Sequence, residues 1–144
     1  MTEPILEFRG KTRWLSNFHL VTVVHEGITY PSTEHAYQAA KTLDMSERQR
    51  IADLEKPGDA MRVGRALKSR TDWPDVKVRI MYEVNREKYR PGSELAAMLL
   101  ATGDAHLEEG NHHGDRFWGT VYGKGRNELG KVLMRIRDEL RALR

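Results

Sequence analysis

The sequence predicts an α+β domain, predominantly helical, with a small antiparallel sheet contributed largely by the N-terminal part. Helical capping signals and helix-period apolar residues dominate from Pro31 onward, whereas strand-like alternation is concentrated in the stretch before it. Strands do not alternate regularly with helices, which disfavours a doubly wound parallel sheet. One domain spanning 1–144 is expected, because a chain of 144 residues makes two independent cores unlikely.

The first 30 residues read as extended structure. Val21 and Val23 on one side and Ile28 and Tyr30 on the other flank His25-Glu26-Gly27, a short hairpin turn that uses glycine's backbone freedom. Pro31-Ser32 opens a helix expected to run to Leu43, with Ser32 as N-cap. Ser46 and Gln49 form a capping-box pattern before a second helix, which Pro57-Gly58 should end. Asp59 is expected to cap a third helix through Leu67. Trp73-Pro74 starts a longer helix carrying Val76, Ile80, Met81 and Val84, closed near Pro91-Gly92. Ser93 begins another, ending near Thr102-Gly103. Residues 104 to 126 contain five glycines and should form short strands and loops. The last helix is the clearest, with Leu129, Leu133, Ile136, Leu140 and Leu143 at helical spacing.

Composition narrows the function classes. Hydrophobic residues make up 39% and charged residues 31%, as in an ordinary compact soluble protein. The net charge of +3 suits a phosphate-bearing ligand but is too weak to indicate nucleic acid by itself. The absence of cysteine excludes disulfides, thiolate zinc sites and thiol nucleophiles. No signal-peptide pattern and no apolar run approaching ~20 residues is present, so no membrane partner is expected and the cytoplasm is the default location.

The helix beginning at Ser32 sorts its side chains in a way that suggests chemistry. Glu34, Gln38 and Lys41 stand at i, i+4 and i+7 on one face, with Ala36, Ala40 and Leu43 nearly opposite, facing the core. A solvated ion-pair ladder is the ordinary reading, but the small alanines imply close packing and Tyr37 adds a ligand wall. The helix dipole favours an ionised Glu34, which suits a base, nucleophile or oxocarbenium stabiliser. A second cluster, Asp115-Arg116-Phe117-Trp118-Gly119 followed by Tyr122 to Asn127, places a glycine-containing loop before the last helix. With Asn127 as cap, free N–H groups there would hold phosphate, helped by Lys124 or Arg126. Tight turns explain the same glycines. Neither a Rossmann fingerprint nor a Walker loop is present.

Trp14, Trp73 and Trp118 lie at element boundaries, where each could stack on a base or simply fill a hinge. Gly64 interrupts a helix, which close approach of a ligand or of a neighbouring helix would explain; Arg65 could then reach a phosphate. His106, His112 and His113, with Glu108 and Glu109, match no zinc spacing, so no metal is expected. Glu108 is better suited to accept a hydrogen bond from a sugar hydroxyl or base edge.

Several motifs occur together and in order: Trp14-Leu15-Ser16-Asn17-Phe18, Tyr30 through Lys41, Gly64-Arg65, Trp73, Arg79 with Met81, Lys88, Ala101-Thr102-Gly103, Leu107-Glu108, Asp115 with Trp118-Gly119, and Asn127 through Gly130. This pattern closely resembles the NADAR family, also called YbiA-like, over nearly the whole chain. The first motif often begins with Phe or Tyr where this chain has Trp14, a conservative aromatic exchange. The resemblance implies a compact α+β fold and N-glycosidase activity with no required redox cofactor. Two substrate kinds are associated with such proteins: phosphorylated ribosylamino-pyrimidine intermediates of riboflavin synthesis, and ADP-ribosylated guanine in nucleic acid.

On that resemblance, Glu34, Lys41 and Asp115 are the expected catalytic residues. Glu34 would serve as oxocarbenium stabiliser or base for water, and Asp115 as second carboxyl by analogy with paired-carboxylate glycosidases. Lys41 could bind phosphate or act as a Schiff-base nucleophile. Asn17 and Gln38 would orient ribose or base, the three tryptophans would stack, and Arg65 and the loop from Gly123 to Asn127 would hold phosphate. Ser16, Phe18, His35, Gly64, Glu108 and Gly119 complete the expected substrate-binding set. The alternatives are a non-hydrolytic module binding ADP-ribose or a nucleotide through the same pocket and, ranked last, a nucleic-acid-binding scaffold, with modified nucleic acid kept as a candidate substrate; oligomeric state is left open.

Overall fold

The computed structural model describes residues 3–144. They form a 3₁₀ helix (Gly10–Leu15), strands β1 (Val23–His25) and β2 (Ile28–Tyr30), and helices α1 (Thr33–Ala39), α2 (Met45–Ala52), α3 (Pro57–Ala66), α4 (Trp73–Lys88), α5 (Glu94–Ala101) and α6 (Glu128–Ala142). The α+β expectation is met: the chain is mostly helical, and its named strands form one two-stranded antiparallel sheet. The described residues divide into two compact units, Asn17–Lys88 and the residues up to Ser16 with Tyr89–Arg144.

In the Asn17–Lys88 unit, β1 and β2 pair with Val24 opposite Thr29 around a two-residue turn, Glu26-Gly27. Both turn residues take positive φ, 47° and 85°, the geometry whose twist matches a tight hairpin. Ser32 caps α1 as expected, accepting the His35 N–H. The helix ends at Ala39 rather than Leu43. Lys41 N–H bonds Gln38 O and Thr42 N–H bonds Ala39 O, so three-residue bonds tighten the last turn and release the chain. Leu43 therefore lies 67% exposed, against the expectation that it faces the core. Every residue of α1 is buried, because α2, α3, α4 and the hairpin all pack against it.

The helix starts after α1 also differ from expectation. Asp44, not Ser46, caps α2, accepting the N–H groups of Ser46 and Glu47. Pro57 does not end α2 but starts α3 at its first position, where its missing N–H has no intrahelical partner to lose. Asp59 consequently sits in the first turn of α3 and pairs with Arg62 at 2.5 Å instead of capping.

In the other unit, the 3₁₀ helix replaces part of the expected extended N-terminal stretch. Ser93 caps α5 as expected. Leu129, Leu133, Ile136 and Leu140 of α6 are buried as their spacing predicts, but Leu143 lies past the last helical residue and is 69% exposed. Residues 104–126 carry isolated bridges (Ile5 with Leu107, Gly110 with Thr120, Val121 with Lys124) rather than extended strands. No helix among the described residues is long and apolar enough to cross a membrane.

Candidate active site

The Asn17–Lys88 unit gathers a charged, half-enclosed cluster around α1. Gln38 Nε2 donates to Glu34 Oε2 at 2.7 Å, the bond that i, i+4 spacing predicts. Both side chains are buried, at 8% and 4% exposure. The carboxylate orients the amide nitrogen toward itself, so Gln38 Oε1 faces away and is buried without a hydrogen-bond partner among the described residues. It points at Gly64 of α3: a Cβ at that glycine would stand 2.6 Å from Gln38 Cβ and 2.8 Å from Cδ. The glycine is there because α3 lies directly on Gln38, which is the helix-packing explanation and not the ligand one.

Lys41 stands beyond the helix end, in the turn, yet its ammonium still feels Glu34. Burial pulls its pKa below the ordinary lysine value. The Glu34 charge opposes that, and Arg65 and Lys77 reinforce it. Its Nζ lies 5.8 Å from the centre of the Tyr37 ring, which packs at 5.2 Å against Trp73. The Lys41 carbonyl accepts the Arg70 N–H at 2.7 Å, fixing the turn. Lys77 was not among the residues expected from sequence; its signal was present, one helical turn after Trp73 on α4.

Asn17 and His35 have structural partners that use most of their polar atoms. Asn17 Oδ1 accepts from Thr33 Oγ1 at 2.8 Å and Asn85 Nδ2 at 3.3 Å, while its carbonyl accepts the Glu34 N–H at 3.1 Å. Asn17 thus anchors the first turn of α1. His35 is fully buried; Nε2 donates to Leu54 O at 2.9 Å, so Nδ1 is the acceptor for Ser32 Oγ at 2.6 Å. That neutral tautomer is reinforced by burial, which lowers the His35 pKa. Phe18 is half-buried and Arg65 is exposed.

The remaining expected residues belong to the other unit. Half-buried Trp14 meets Tyr89 edge-on at 6.4 Å, and Ser16 caps the 3₁₀ helix through its N–H to Arg13 O. Asp115 Oδ1 accepts the N–H groups of Phe117 (3.0 Å) and Trp118 (2.9 Å), an Asx turn that organises the loop. Trp118 packs edge-on against Phe117 at 4.8 Å. Glu108 bonds Thr120 Oγ1 at 2.7 Å and His106 Nε2 at 3.1 Å. Gly119 has no room for a side chain, since a Cβ would stand 2.9 Å from Asn111 Nδ2 and overlap Glu109 O.

The phosphate cradle expected at the start of α6 is corrected here. The N–H groups of Arg126, Asn127, Glu128 and Leu129 donate to Arg116, Gly119, Phe117 and Trp118 carbonyls, so they are not free. Asn127 occupies the cap position in left-handed conformation without a side-chain cap bond. Its amide instead ties Leu107 O (2.9 Å) and the Glu109 N–H (3.0 Å). Among the described residues no group of three or more His, Asp or Glu side chains is placed to hold a metal ion.

Comparison with known proteins identifies the family. The chain is 40% identical over 145 residues to a riboflavin biosynthesis protein of Vibrio vulnificus, aligning 97% of itself with 39% of that protein's length. It is 39% identical over 128 residues to the N-glycosidase YbiA of Escherichia coli, covering 87% of this chain and 79% of that one. An N-glycosidase of Nostoc punctiforme is 38% identical over 127 residues, covering 83% and 81%. The NMR structure of E. coli YbiA matches with a TM-score of 0.86 at 36% identity, over 99% of this chain and 88% of that chain. Residues 7–141 match the sequence model of the NADAR domain, and the chain belongs to the NADAR domain family.

Proposed function

We propose that this chain is an N-glycosidase that hydrolyses the bond between a ribose anomeric carbon and a base nitrogen in a phosphate-bearing substrate. One observation carries the reading: the buried Glu34 carboxylate is oriented by Gln38, and it shares the electrostatic surroundings of Lys41 with Arg65 and Lys77. N-glycoside cleavage develops positive charge on the anomeric carbon and negative charge on the departing base. A fixed carboxylate in a partly desolvated site stabilises the first, and cations nearby suit phosphate. Tyr37 and Trp73 supply an aromatic wall for the base or sugar. In the reaction, water adds to the anomeric carbon, the C–N bond breaks, and the base leaves with the proton that water gives up.

Lys41 has two roles open to it, separated by one test. As an ammonium it binds phosphate or a ribose hydroxyl. As a neutral amine it attacks the anomeric carbon and displaces the base, which leaves with the proton that the amine gives up. Ring opening then gives an imine, which water hydrolyses to free sugar and lysine. Only the second role leaves an adduct trapped by borohydride.

That the Vibrio vulnificus relative is named for riboflavin biosynthesis supports a ribosylamino-pyrimidine phosphate as substrate; ADP-ribosylated guanine is the other candidate. A cytoplasmic setting goes with either. The test is a chromatographic assay with both substrates and Glu34→Gln as control, since glutamine keeps an acceptor for Gln38 but loses the charge. Release of ribose phosphate or ADP-ribose that falls about 10²- to 10⁴-fold in the variant supports the reading. Tight binding without product over hours would make the chain a binding module instead.

A further inference from the structure

We infer a second binding site, for single-stranded nucleic acid, on the surface formed by residues 112–126. It does not depend on the chemistry at Glu34. Val121 and Lys124 bond each other in both directions (2.9 and 3.1 Å), closing a two-residue turn whose corners are Tyr122 and Gly123. Both corners have positive φ, 51° and 75°. Such a turn favours asparagine or glycine at its first corner, and a bulky aromatic there is strained. The ring gains no burial in exchange: Tyr122 is 86% exposed, the most exposed of the large hydrophobic side chains described. Its neighbour is His112, edge-on at 6.3 Å. Strain that holds an aromatic face out in water is explained by a ligand that stacks on it.

The charges around that ring select the ligand. Arg116, Lys124 and Arg126 are exposed, as are His112 and His113. Arg126 is tied to Arg116 through its N–H at 2.8 Å, and its guanidinium lies over Phe117 at 4.8 Å, so the cations and rings share one loop cluster. The single acid between positions 112 and 126 is Asp115, half-buried with Oδ1 occupied by two backbone N–H groups. Glu128, just beyond, is shared by Arg126 and Lys131. The surface is therefore cationic around an outward aromatic. A base needs a stacking face and its phosphates need cations, and an unpaired strand offers both while a duplex hides its base faces.

The experiment is fluorescence anisotropy of the whole protein with an unmodified labelled single strand of about 12 nucleotides, beside the same sequence as duplex, over a salt series. Tyr122→Asn suits the turn better than tyrosine, so it keeps the fold while removing the ring. The expected results are preference for the single strand and a loss of roughly 5- to 150-fold in Tyr122→Asn. Lys124→Gln should make the salt dependence shallower by about 0.7 in log–log slope. N-glycosidase turnover of a small ribosylamino-pyrimidine phosphate should be unchanged in Tyr122→Asn. Wild-type affinity in Tyr122→Asn, equal binding of the duplex, or no strand binding at low salt would each overturn the inference. Glu34→Gln separates the two proposals, because it should bind the strand normally whether or not it has lost turnover.

Discussion

Replacing Gly64 by alanine tests the packing beneath the candidate site through the sign of the stability change. Gly64 lies inside α3, with no positive φ to protect it. On backbone grounds alone alanine should stabilise the helix by about 1 kcal/mol. The structure demands the opposite, since the new Cβ would stand 2.6 Å from Gln38 Cβ, about an ångström closer than carbon atoms pack. Gln38 Cβ is fixed to α1 and cannot swing away, so the two helices must part. Overpacking of this kind costs about 1–3 kcal/mol. Disturbing the 2.7 Å Gln38–Glu34 bond adds about 1 kcal/mol, giving a net destabilisation of about 1–3 kcal/mol. Urea unfolding reads it directly, and turnover should fall further than stability does because Glu34 loses its orienting partner. Gln38→Ala in the Gly64→Ala background removes Cδ and Oε1 but keeps the Cβ that clashes, so it should recover little of the stability and none of the turnover. A Gly64→Ala protein as stable as or more stable than the parent would refute the packing argument.

Further expected outcomes concern protonation and the loop. If Lys41 acts as an ammonium, turnover falls as pH rises through its lowered pKa, at a pH below the ordinary 10.5; if it acts as a neutral amine, turnover rises there instead, and a kcat pH profile with borohydride trapping separates the two. Burial lowers the His35 pKa, so on acidification the unfolded chain takes up that proton first; unfolding free energy should decline as pH falls below 6.5, and His35→Asn should flatten that limb. Lys88, buried at the end of α4 and pushed down to about 7, acts in the same sense at higher pH, because the unfolded chain holds its proton up to 10.5. Stability should thus rise between about pH 7 and 10, then fall as phenols ionise first in the unfolded chain, since burial has pushed Tyr30 up to about 12; Lys88→Met removes the rise in a urea series. Asp115→Asn should preserve the Asx turn to Phe117 and Trp118 while removing the charge, so normal stability with lost turnover marks a catalytic carboxyl, and normal turnover marks a turn anchor.

Much of the local structure was legible because it depends on local chemistry. Ser32 and Ser93 as caps, the Glu26-Gly27 turn, Trp73-Pro74 as a helix start and the buried stripe of α6 are all fixed by neighbours a few residues away. Where two local signals competed, the reading failed. Asp44 and Ser46 both suit an N-cap, and Pro57 suits both the end of one helix and the start of the next.

The candidate site divides along the same line. The sequence by itself determined the Glu34–Gln38 pairing, because i, i+4 side chains must meet on a helix whatever surrounds them. Tertiary structure alone decided that this face is buried, that Gly64 exists for Gln38, that Lys77 joins Arg65 around Lys41, and that Asn17 and His35 spend their polar atoms on the scaffold. It also decided that the N–H groups before α6 are occupied, which removed the phosphate cradle expected there. A hydrogen-bonding atom looks the same in the sequence whether its partner is a ligand or a distant carbonyl. Only the packing of segments far apart in the chain determines which of the two it meets.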